Sequence, residues 1–336
     1  MDFDFAGPTR RPDHPQTASS RSHLMIPTNA KSYRHIEVRP LTSALGAEIF
    51  GVDLGRDLSD EVFAEVRRAF FENLVVMFRD QHLTEDQQCD FAARFGPLTK
   101  SAGLAGTGRV FMVTKKAGDT GRNVGGHWHA DGTQMQRSPL GSALYAMEIP
   151  PYGGDTMFCN LYMAYESLSP GMKKLADGLI LVHSGTMGYG GRGHVAQEVI
   201  NARPDMYDFD AGRIDAEHPL VRVIPETGRK VLYAPSPLSF YFKDMSVADS
   251  APLIKYFQSL AEKPEFTCRF RWGKGSLLLW DNRATYHYAL NDYHGWDRTM
   301  RRVQIEGEHP FGPAKPPSGD VPALVAQVRA ADPVAI

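Results

Sequence analysis

After residue 100 the chain is a succession of short apolar runs separated by glycine and proline. Roughly ten such runs occur, among them RVFMVT, SALYAME, DTMFCN, LILVHS, KVLYA, SLLLWD and RRVQIEG. Short β-branched and aromatic runs bounded by turn residues are typical of strands. Because strands dominate and evident helices are few, the sequence predicts a mainly β fold, a sandwich or barrel with helical decoration.

A few helices are expected around this β structure. Apolar residues recur at helical spacing from Ser59 to about Asn73, and a second helix begins at Thr84, where T-E-D-Q has the form of a capping box. Residues 161–177 and 246–262 also have helical patterns. These four segments are therefore predicted to be the helical decoration.

Composition divides the chain into one large domain and two flanking segments. Residues 1–35 are rich in Pro, Ser, Thr, Arg and His, which predicts a flexible tail. Alternating apolar patterns begin at residue 36 and support a domain over 36–315, followed by a C-terminal extension over 316–336. Residues 185–217 are glycine-rich and polar, and such long segments are often lids or disordered loops, so a loop insertion is predicted there.

Charge and cysteine content exclude several classes of function. A formal net charge of -2 and the lack of a Lys/Arg run give no electrostatic footprint for nucleic acid. The three cysteines are widely spaced, which predicts neither a disulfide framework nor a thiolate zinc site and favours the cytoplasm. No segment has the character of a signal peptide or a membrane span, so neither export nor membrane insertion is expected.

The segment GGHWHADGT, residues 125–133, is the strongest candidate for a metal site. In an extended segment alternate side chains share a face, so His127, His129 and Asp131 would point the same way. That geometry is compatible with a zinc-dependent hydrolase of the HxHxD type. However, the zinc motif expects a further histidine directly after the aspartate, and this chain has Gly132 there.

A second interpretation uses only His129 and Asp131 from this segment, together with a remote histidine. Two histidines and one carboxylate on one side of Fe(II) form a facial triad that leaves positions open for a co-substrate and O2. His287, which lies far downstream in strand-like sequence, suits the third position. On these residues alone the zinc hydrolase, the iron enzyme and a non-catalytic metal-binding jelly-roll protein all stay open.

Four longer segments resemble one known family. The chain is similar to the TauD/TfdA family of Fe(II)- and 2-oxoglutarate-dependent dioxygenases in WHAD (128–131), GGDTMFCN (153–160), WDNRATYHYALNDY (280–293) and RTMRRVQI (298–305). The similarity runs in family order over roughly residues 36–312. It implies the double-stranded β-helix, or jelly roll, with a metal between the two sheets.

The resemblance assigns ligands and a co-substrate site to particular residues. It implies that His129, Asp131 and His287 bind Fe(II), and that the other reactants are 2-oxoglutarate and O2. Arg298 matches the family arginine that holds the distal carboxylate of 2-oxoglutarate, a task suited to the bidentate fork of a guanidinium. Thr156 matches a family threonine that hydrogen-bonds the same co-substrate.

Other positions are implied to contact the primary substrate. Arg302 matches a second family arginine that often meets an anionic group of the substrate, whereas Arg301 beside it would face the other side of a strand. Gln134 stands where many members have phenylalanine, which suggests a polar or larger pocket. His127 is expected to be a pocket residue that faces the substrate.

The implied reaction is hydroxylation of an unactivated C–H bond in a small anionic substrate, with formation of succinate and CO2. If the hydroxylated carbon bears an ether or sulfate ester oxygen, or a C–S or C–N bond, the product can collapse, so that hydroxylation results in bond cleavage. Relatives that halogenate replace the metal aspartate with a small residue. Because Asp131 is retained, hydroxylation is favoured.

Departures from the family bear on the substrate. Taurine-specific members carry asparagine where this chain has Gly125, which disfavours taurine. GRNVGGHWHAD (121–131) and FTCRFRW (266–272) resemble the aryloxyalkanoate branch, so an aryloxy acid is one candidate. Lys115, Lys116 and Arg122 precede the motif and are expected to be solvated charges. Relatives are often dimers or tetramers, and a homo-oligomer is expected here as well.

Overall fold

The computed structural model describes residues 33–99, 109–119, 121, 123, 125–188, 214–234 and 238–313. Their strands are β1 (Glu37–Pro40), β2 (Ala47–Phe50), β3 (Val75–Phe78), β4 (Phe111–Lys115), β5 (Gly141–Glu148), β6 (Thr156–Asn160), β7 (Ile180–Ser184), β8 (Asp215–Pro219), β9 (Val221–Val223), β10 (Lys230–Leu232), β11 (Ser239–Phe242), β12 (Thr267–Phe270), β13 (Leu277–Asp281), β14 (Thr285–Ala289) and β15 (Arg298–Ile305). The helices are α1 (Asp60–Asn73), α2 (Glu85–Ala93), α3 (Leu161–Glu166), α4 (Pro170–Ala176), α5 (Gly185–Gly188) and α6 (Val247–Ala261).

A seven-stranded sheet forms one layer of the fold. Its strand order is β1-β2-β3-β13-β5-β15-β4, and all neighbours are antiparallel except β2 and β3. Smaller sheets have the orders β12-β6-β14, β11-β7-β8 and β10-β9. The consecutive strands β13 and β14 belong to different sheets, as the jelly-roll prediction requires.

Strand β13 is apolar throughout because both of its faces are covered. Leu278 and Trp280 point into the core that the large sheet shares with Phe158 of β6. Leu277 and Leu279 point the other way, into a second core that helices α1 and α2 complete. Side chains alternate across a strand, so a sheet buried on two sides needs a continuous apolar run.

The helix starts follow from local hydrogen bonding. The Ser59 side chain accepts from the Val62 N–H at the start of α1, and Thr84 and Gln87 form the predicted capping box of α2. The single helix predicted over 161–177 is wrong, because the segment forms two helices, α3 and α4. Pro170 has no N–H to continue α3 and instead begins α4.

Parts of the predicted domain plan lie outside the described residues. These parts are residues 1–32 of the tail, 189–213 of the loop insertion and the whole extension over 316–336. The two ends of the predicted loop are ordered, since α5 opens it and β8 begins at Asp215. Cys89, Cys159 and Cys268 are buried and form no disulfide, as expected. Among the described helices, none has both the length and the apolar character to cross a membrane.

Candidate metal centre

Three potential metal ligands meet between the sheets. Ligand atoms of His129, Asp131 and His287 lie within 4.8 Å of one another. In the described residues, these three side chains form the one cluster of histidine, cysteine or acidic groups that could hold a metal ion. His127 is not part of the group, so the HxHxD arrangement of a zinc hydrolase is not formed. The facial-triad interpretation is the one that the geometry supports.

The two histidines are brought together by their main chains. His129 donates its N–H to the His287 carbonyl at 3.0 Å, and His287 donates back to the His129 carbonyl at 2.8 Å. The pair is an isolated antiparallel bridge, with His287 in the middle of β14. The position of each imidazole is thereby fixed by the backbone of the other ligand.

Asp131 reaches the site from a turn rather than from a strand. Its N–H donates to Oδ1 of Asn282 at 2.7 Å, and Nδ2 of Asn282 donates to the Asp131 carbonyl at 2.9 Å. Asn282 lies in the tight connection between β13 and β14. Its side-chain amide therefore holds both main-chain groups of the ligand residue.

Both imidazoles are neutral and available as ligands at pH 7. Burial lowers the pKa of His129 to about 3 and that of His287 to about 4. Nδ1 of His129 lies 2.8 Å from the His127 carbonyl, and because a carbonyl only accepts, this nitrogen carries the proton of the neutral ring. Nε2 is then free to bind a metal, an arrangement common among histidine ligands.

The aspartate supplies negative charge to the site. Burial on its own would raise the pKa of Asp131, but neighbouring positive charge, that of Arg302 first, outweighs it, so the pKa lies well below its usual value. Oδ1 of Asp131 lies 3.8 Å from Nε2 of His129 and 3.9 Å from Nε2 of His287. Two neutral imidazoles and one carboxylate in a buried cluster fit the donor set that non-heme Fe(II) takes.

Gly125 leaves room for the His129 ring. Its φ is +75°, and a Cβ at this position would lie 2.9 Å from Cε1 of His129. Any other residue would be strained in backbone conformation and would collide with a metal ligand. A larger residue at position 125 would therefore require the His129 ring or the local backbone to shift.

The two residues predicted to bind the co-substrate lie together beside the triad. Thr156 is paired with Ala289 in the β6–β14 ladder, two residues beyond the ligand His287. Its Oγ1 accepts a hydrogen bond from Nε1 of Trp272 at 3.0 Å, and the Arg298 guanidinium carbon lies 5.8 Å from the Trp272 ring centroid. Thr156 therefore lies two residues along the ladder from the position of His287, roughly 7 Å at the usual rise of a strand.

Arg298 is a buried cation with hydrogen-bonding capacity to spare. It is 5% exposed, and burial lowers its pKa. Its Nε has no hydrogen-bond partner, and it forms no ion pair with a described carboxylate. Tyr293 and the more distant Asp155 offset only part of its burial. Charged groups are seldom buried without a partner, so the site fits an anionic ligand.

Arg302 lies against the metal carboxylate. Its Nη1 is 3.0 Å from Oδ1 and 3.1 Å from Oδ2 of Asp131, while its Nε has no partner. Arg301 faces the opposite side of β15, where it bonds Gln88 at 2.7 Å, so the predicted alternation of these two arginines holds in the structure.

The remaining predicted residues differ in their surroundings. The His127 side chain is exposed, with its ring centroid 5.0 Å from that of His129, whereas Gln134 is buried and its Oε1 has no partner. Lys116 is exposed and pairs with Asp297, as expected of a solvated charge. For Lys115 the expectation was wrong, because this residue ends β4 and is buried. Arg122 lies outside the described residues.

Sequence reasoning missed several residues that contact the site. Asn282 and Trp272 stand within segments that were recognised, WDNR and FTCRFRW, but neither was assigned a role. A polar residue between two buried strands, next to a ligand-bearing segment, was the available signal for Asn282. Trp272 carries no such signal, because its hydrogen bond to Thr156 depends on how β6 and the segment after β12 pack.

Comparisons with known proteins agree with this geometry. Residues 37–304 match the family described as taurine catabolism dioxygenase TauD, TfdA family. An alkylsulfatase from Acinetobacter baylyi is 35% identical over 283 residues, which cover 82% of this chain and 86% of that protein. An alpha-ketoglutarate-dependent sulfate ester dioxygenase from Pseudomonas putida is 32% identical, with 82% and 91% covered.

A phenoxyalkanoate enzyme and a solved structure complete the comparison. The (S)-phenoxypropionate/alpha-ketoglutarate-dioxygenase of Sphingobium herbicidovorans is 30% identical, covering 80% of this chain and 92% of that protein. The crystal structure of a taurine dioxygenase from Burkholderia xenovorans superimposes with a TM-score of 0.70 at 34% identity, covering 86% and 98% of the two chains. The chain therefore belongs to the TauD, TfdA family of dioxygenases, which use Fe(II), 2-oxoglutarate and O2.

Proposed function

We propose that this dioxygenase acts on a small alkyl sulfate ester, hydroxylating the carbon that bears the ester oxygen. The observation that carries the proposal is Arg302, a guanidinium beside the metal carboxylate with an unpartnered Nε. A buried N–H without a partner is costly, and an anionic group of the substrate would satisfy it. Two relatives at 35% and 32% identity are named for sulfate ester chemistry, which favours sulfate as that anion.

The residues of the site have separate tasks in this reaction. His129, Asp131 and His287 would hold iron, which together with 2-oxoglutarate activates O2 for attack on a C–H bond. Arg298 and Thr156 would receive the distal carboxylate of 2-oxoglutarate and so fix its orientation. Positioning of this kind removes much of the entropic cost of the reaction.

The remaining predicted contacts would select and place the substrate. Arg302 would bind the sulfate group, so that the adjacent carbon faces the metal. Gln134 would offer its unpartnered amide oxygen to a polar part of the substrate, and His127 would lie at the exposed rim. A guanidinium suits the sulfate group because it presents several donors in one plane.

The overall reaction balances without a further reactant. One oxygen atom of O2 enters the C–H bond of R–CH2–O–SO3⁻, and the other enters succinate as CO2 leaves 2-oxoglutarate. The product carbon carries both a hydroxyl and a sulfate group. Its bond to the sulfate oxygen breaks, the hydroxyl proton is lost, and an aldehyde and sulfate result.

An aryloxyalkanoate is the second candidate substrate. The same hydroxylation next to an ether oxygen would release a phenol, and a carboxylate would also satisfy Arg302. The similarity to the (S)-phenoxypropionate enzyme and to the aryloxyalkanoate branch supports this alternative. Both candidates share one reaction type and differ in the anion and the leaving group.

A substrate panel distinguishes the two candidates. Purified enzyme with Fe(II) and 2-oxoglutarate is mixed with hexyl sulfate, 2-phenoxypropionate, taurine or 1-hexanol, and succinate and inorganic sulfate are measured by ion chromatography. We expect hexyl sulfate to stimulate succinate release and to yield sulfate in equal amount, while the uncharged alcohol does not. Stimulation by the aryloxy acid alone would transfer the proposal to the second candidate, and stimulation by neither would refute both.

The role of Arg302 is tested on the same substrate. Arg302→Met is expected to raise the KM for hexyl sulfate by about tenfold or more, because a charge-assisted contact is lost. The KM for 2-oxoglutarate should change far less. An unchanged KM for the sulfate ester would show that Arg302 serves only to hold Asp131.

A further inference from the structure

Lys115 is a buried lysine that forms no ion pair with a described carboxylate, although Asp119 acts on it at longer range. It is 7% exposed at the end of β4, and its Nζ contacts the side-chain oxygen of Asn291. Nζ also lies 4.6 Å from the centroid of the Tyr293 ring. In the described part of the chain no acidic side chain forms an ion pair with it, although a lysine is almost never fully buried unless it is paired.

The neighbour of Lys115 across the sheet is the co-substrate arginine. Lys115 is directly opposite Arg298 in the antiparallel β4–β15 ladder, so the two side chains project from the same face. Tyr293 contacts both of them, since its ring centroid lies 5.8 Å from the Arg298 guanidinium carbon. Two buried cations therefore flank one aromatic ring. Neither forms an ion pair with a described carboxylate, and Asp119 and Asp155 act on them only at longer range.

This pair of charges is costly in the free protein. Burial lowers the pKa of Lys115 as well as that of Arg298, so each charge is held in an environment that disfavours it. Tyr293 offsets part of the cost through its ring face. An anion placed at Arg298 would attract both cations and offset the cost of burying them.

We infer that Lys115 is a second cation of the 2-oxoglutarate site and attracts the distal carboxylate that Arg298 holds. Arg298 provides the directional fork, and Lys115 adds a compact positive charge on the adjacent strand. The inference depends on the co-substrate and not on the identity of the primary substrate. It assigns a binding role to a residue in the variable segment before the metal motif.

The test compares two ligands on two matched variants. Lys115→Met removes the buried charge, and Lys116→Met removes the neighbouring exposed charge as a control. Each protein is loaded with Mn(II), which prevents turnover, and is titrated calorimetrically with 2-oxoglutarate or with 2-oxopentanoate. The second ligand has the same chain length but lacks the distal carboxylate.

We expect Lys115→Met to weaken the binding of one ligand much more than that of the other. Lys115→Met should weaken 2-oxoglutarate binding by about tenfold, the loss of one charge-assisted contact, and should change 2-oxopentanoate binding by less than about twofold. Lys116→Met should leave both within about twofold. Lys115→Arg, which keeps the charge, should restore most of the affinity.

Two outcomes would overturn the inference. Equal weakening of both ligands would mean that Lys115 only supports the Asn291–Tyr293 segment, and unchanged affinity for 2-oxoglutarate would mean that its charge does not reach the site. If Lys115→Met fails to fold, Lys115→Gln keeps a donor for Asn291 without the charge and carries the same expectation. Wild-type binding of 2-oxoglutarate separates these outcomes from a failure of the co-substrate site itself.

Discussion

Asp131 connects more of the site than any other ligand. Its carboxylate meets Arg302 at 3.0 Å and Ser142 at 3.3 Å, and its main chain is held by Asn282. The carboxylate is therefore both the predicted metal donor and the counter-ion of the partly buried Arg302 guanidinium. Removing it leaves this partly buried positive charge without its counter-ion, which is destabilising.

Replacing this residue should abolish activity through metal loss. Asp131→Ala is expected to lower bound Fe(II) and the turnover of 2-oxoglutarate by more than about 100-fold, since even changes beyond the ligands themselves cost 10- to 100-fold in related metal sites. Metal analysis after dialysis and succinate release check the prediction. Retention of coupled turnover by this variant would exclude Asp131 as a ligand.

Replacing Arg298 with lysine should impair the binding of 2-oxoglutarate. The substitution keeps the positive charge but loses the planar fork that grips a carboxylate at two points. Arg298→Lys is expected to weaken 2-oxoglutarate binding by about tenfold or more, with little change in metal affinity. Anaerobic titration with Fe(II), followed by titration with 2-oxoglutarate, gives the two dissociation constants. Equal affinity for 2-oxoglutarate in the wild-type and variant proteins would contradict the assignment.

At the scale of elements, the connection between β13 and β14 determines where the carboxylate lies. Asn282 makes two hydrogen bonds to the Asp131 main chain and a third, at 3.3 Å, to the Pro139 carbonyl. These bonds join the turn that carries one ligand to the strand that carries another. Asn282 is thus a positioning residue that does not touch the metal.

Asn282→Ala should weaken metal binding without directly affecting the binding of 2-oxoglutarate. The main-chain N–H and carbonyl of Asp131 would lose their buried partners, so the turn should loosen and Fe(II) affinity should fall by about tenfold. At saturating iron the KM for 2-oxoglutarate should change little. Asn282→Asp, which keeps the acceptor for the Asp131 N–H but loses the donor, should have an intermediate affinity, and equal metal affinities in all three proteins would contradict the role.

The structural features that could be predicted were those determined by residues close to one another in sequence. The capping box at Thr84 is a local sequence pattern and was predicted correctly, as was the opposite orientation of Arg301 and Arg302 on one strand. The burial of Lys115 could not be predicted, because it arises from the pairing of β4 with β15 and from Tyr293. The residues around Lys115 in the sequence do not indicate which distant strand pairs with β4.

The metal motif shows the same limit. Equal orientation of His127, His129 and Asp131 assumed an extended strand, but only His129 makes a bridge and Asp131 lies in a turn. The grouping of His129, Asp131 and His287, which lie together in the structure, was nevertheless predicted, since the family resemblance supplied the long-range information. The roles predicted for Gln134 and His127 stay predictions.

At the scale of the whole molecule, buried histidines make stability depend on pH. His183 and His218 are buried with ring centroids 4.9 Å apart, and His183 has no partner on either ring nitrogen. Burial lowers the pKa of His183 far below 6.5 and that of His218 from 6.5 to about 4. The unfolded chain therefore binds these protons more tightly than the folded chain.

The free energy of unfolding should consequently have its full value above about pH 6.5 and decrease between pH 6.5 and 4, as protons bind preferentially to the unfolded chain. Each histidine contributes a loss of up to roughly tenfold in the folding equilibrium per pH unit. Thermal unfolding of the metal-free protein between pH 7.5 and 5 measures the slope, to which His129 and His287 also contribute. His183→Phe should make the slope shallower by one histidine's share, and an unchanged slope would argue against a neutral buried His183.

The main-chain bridge between His129 and His287 also has a consequence for the order of events when the protein is made. The two imidazoles become neighbours only when β14 has been synthesised and has joined the segment that precedes β5. A chain emerging from the ribosome carries His129 and Asp131 long before it carries the third donor. The complete set of three donors therefore exists only in chains that are nearly finished.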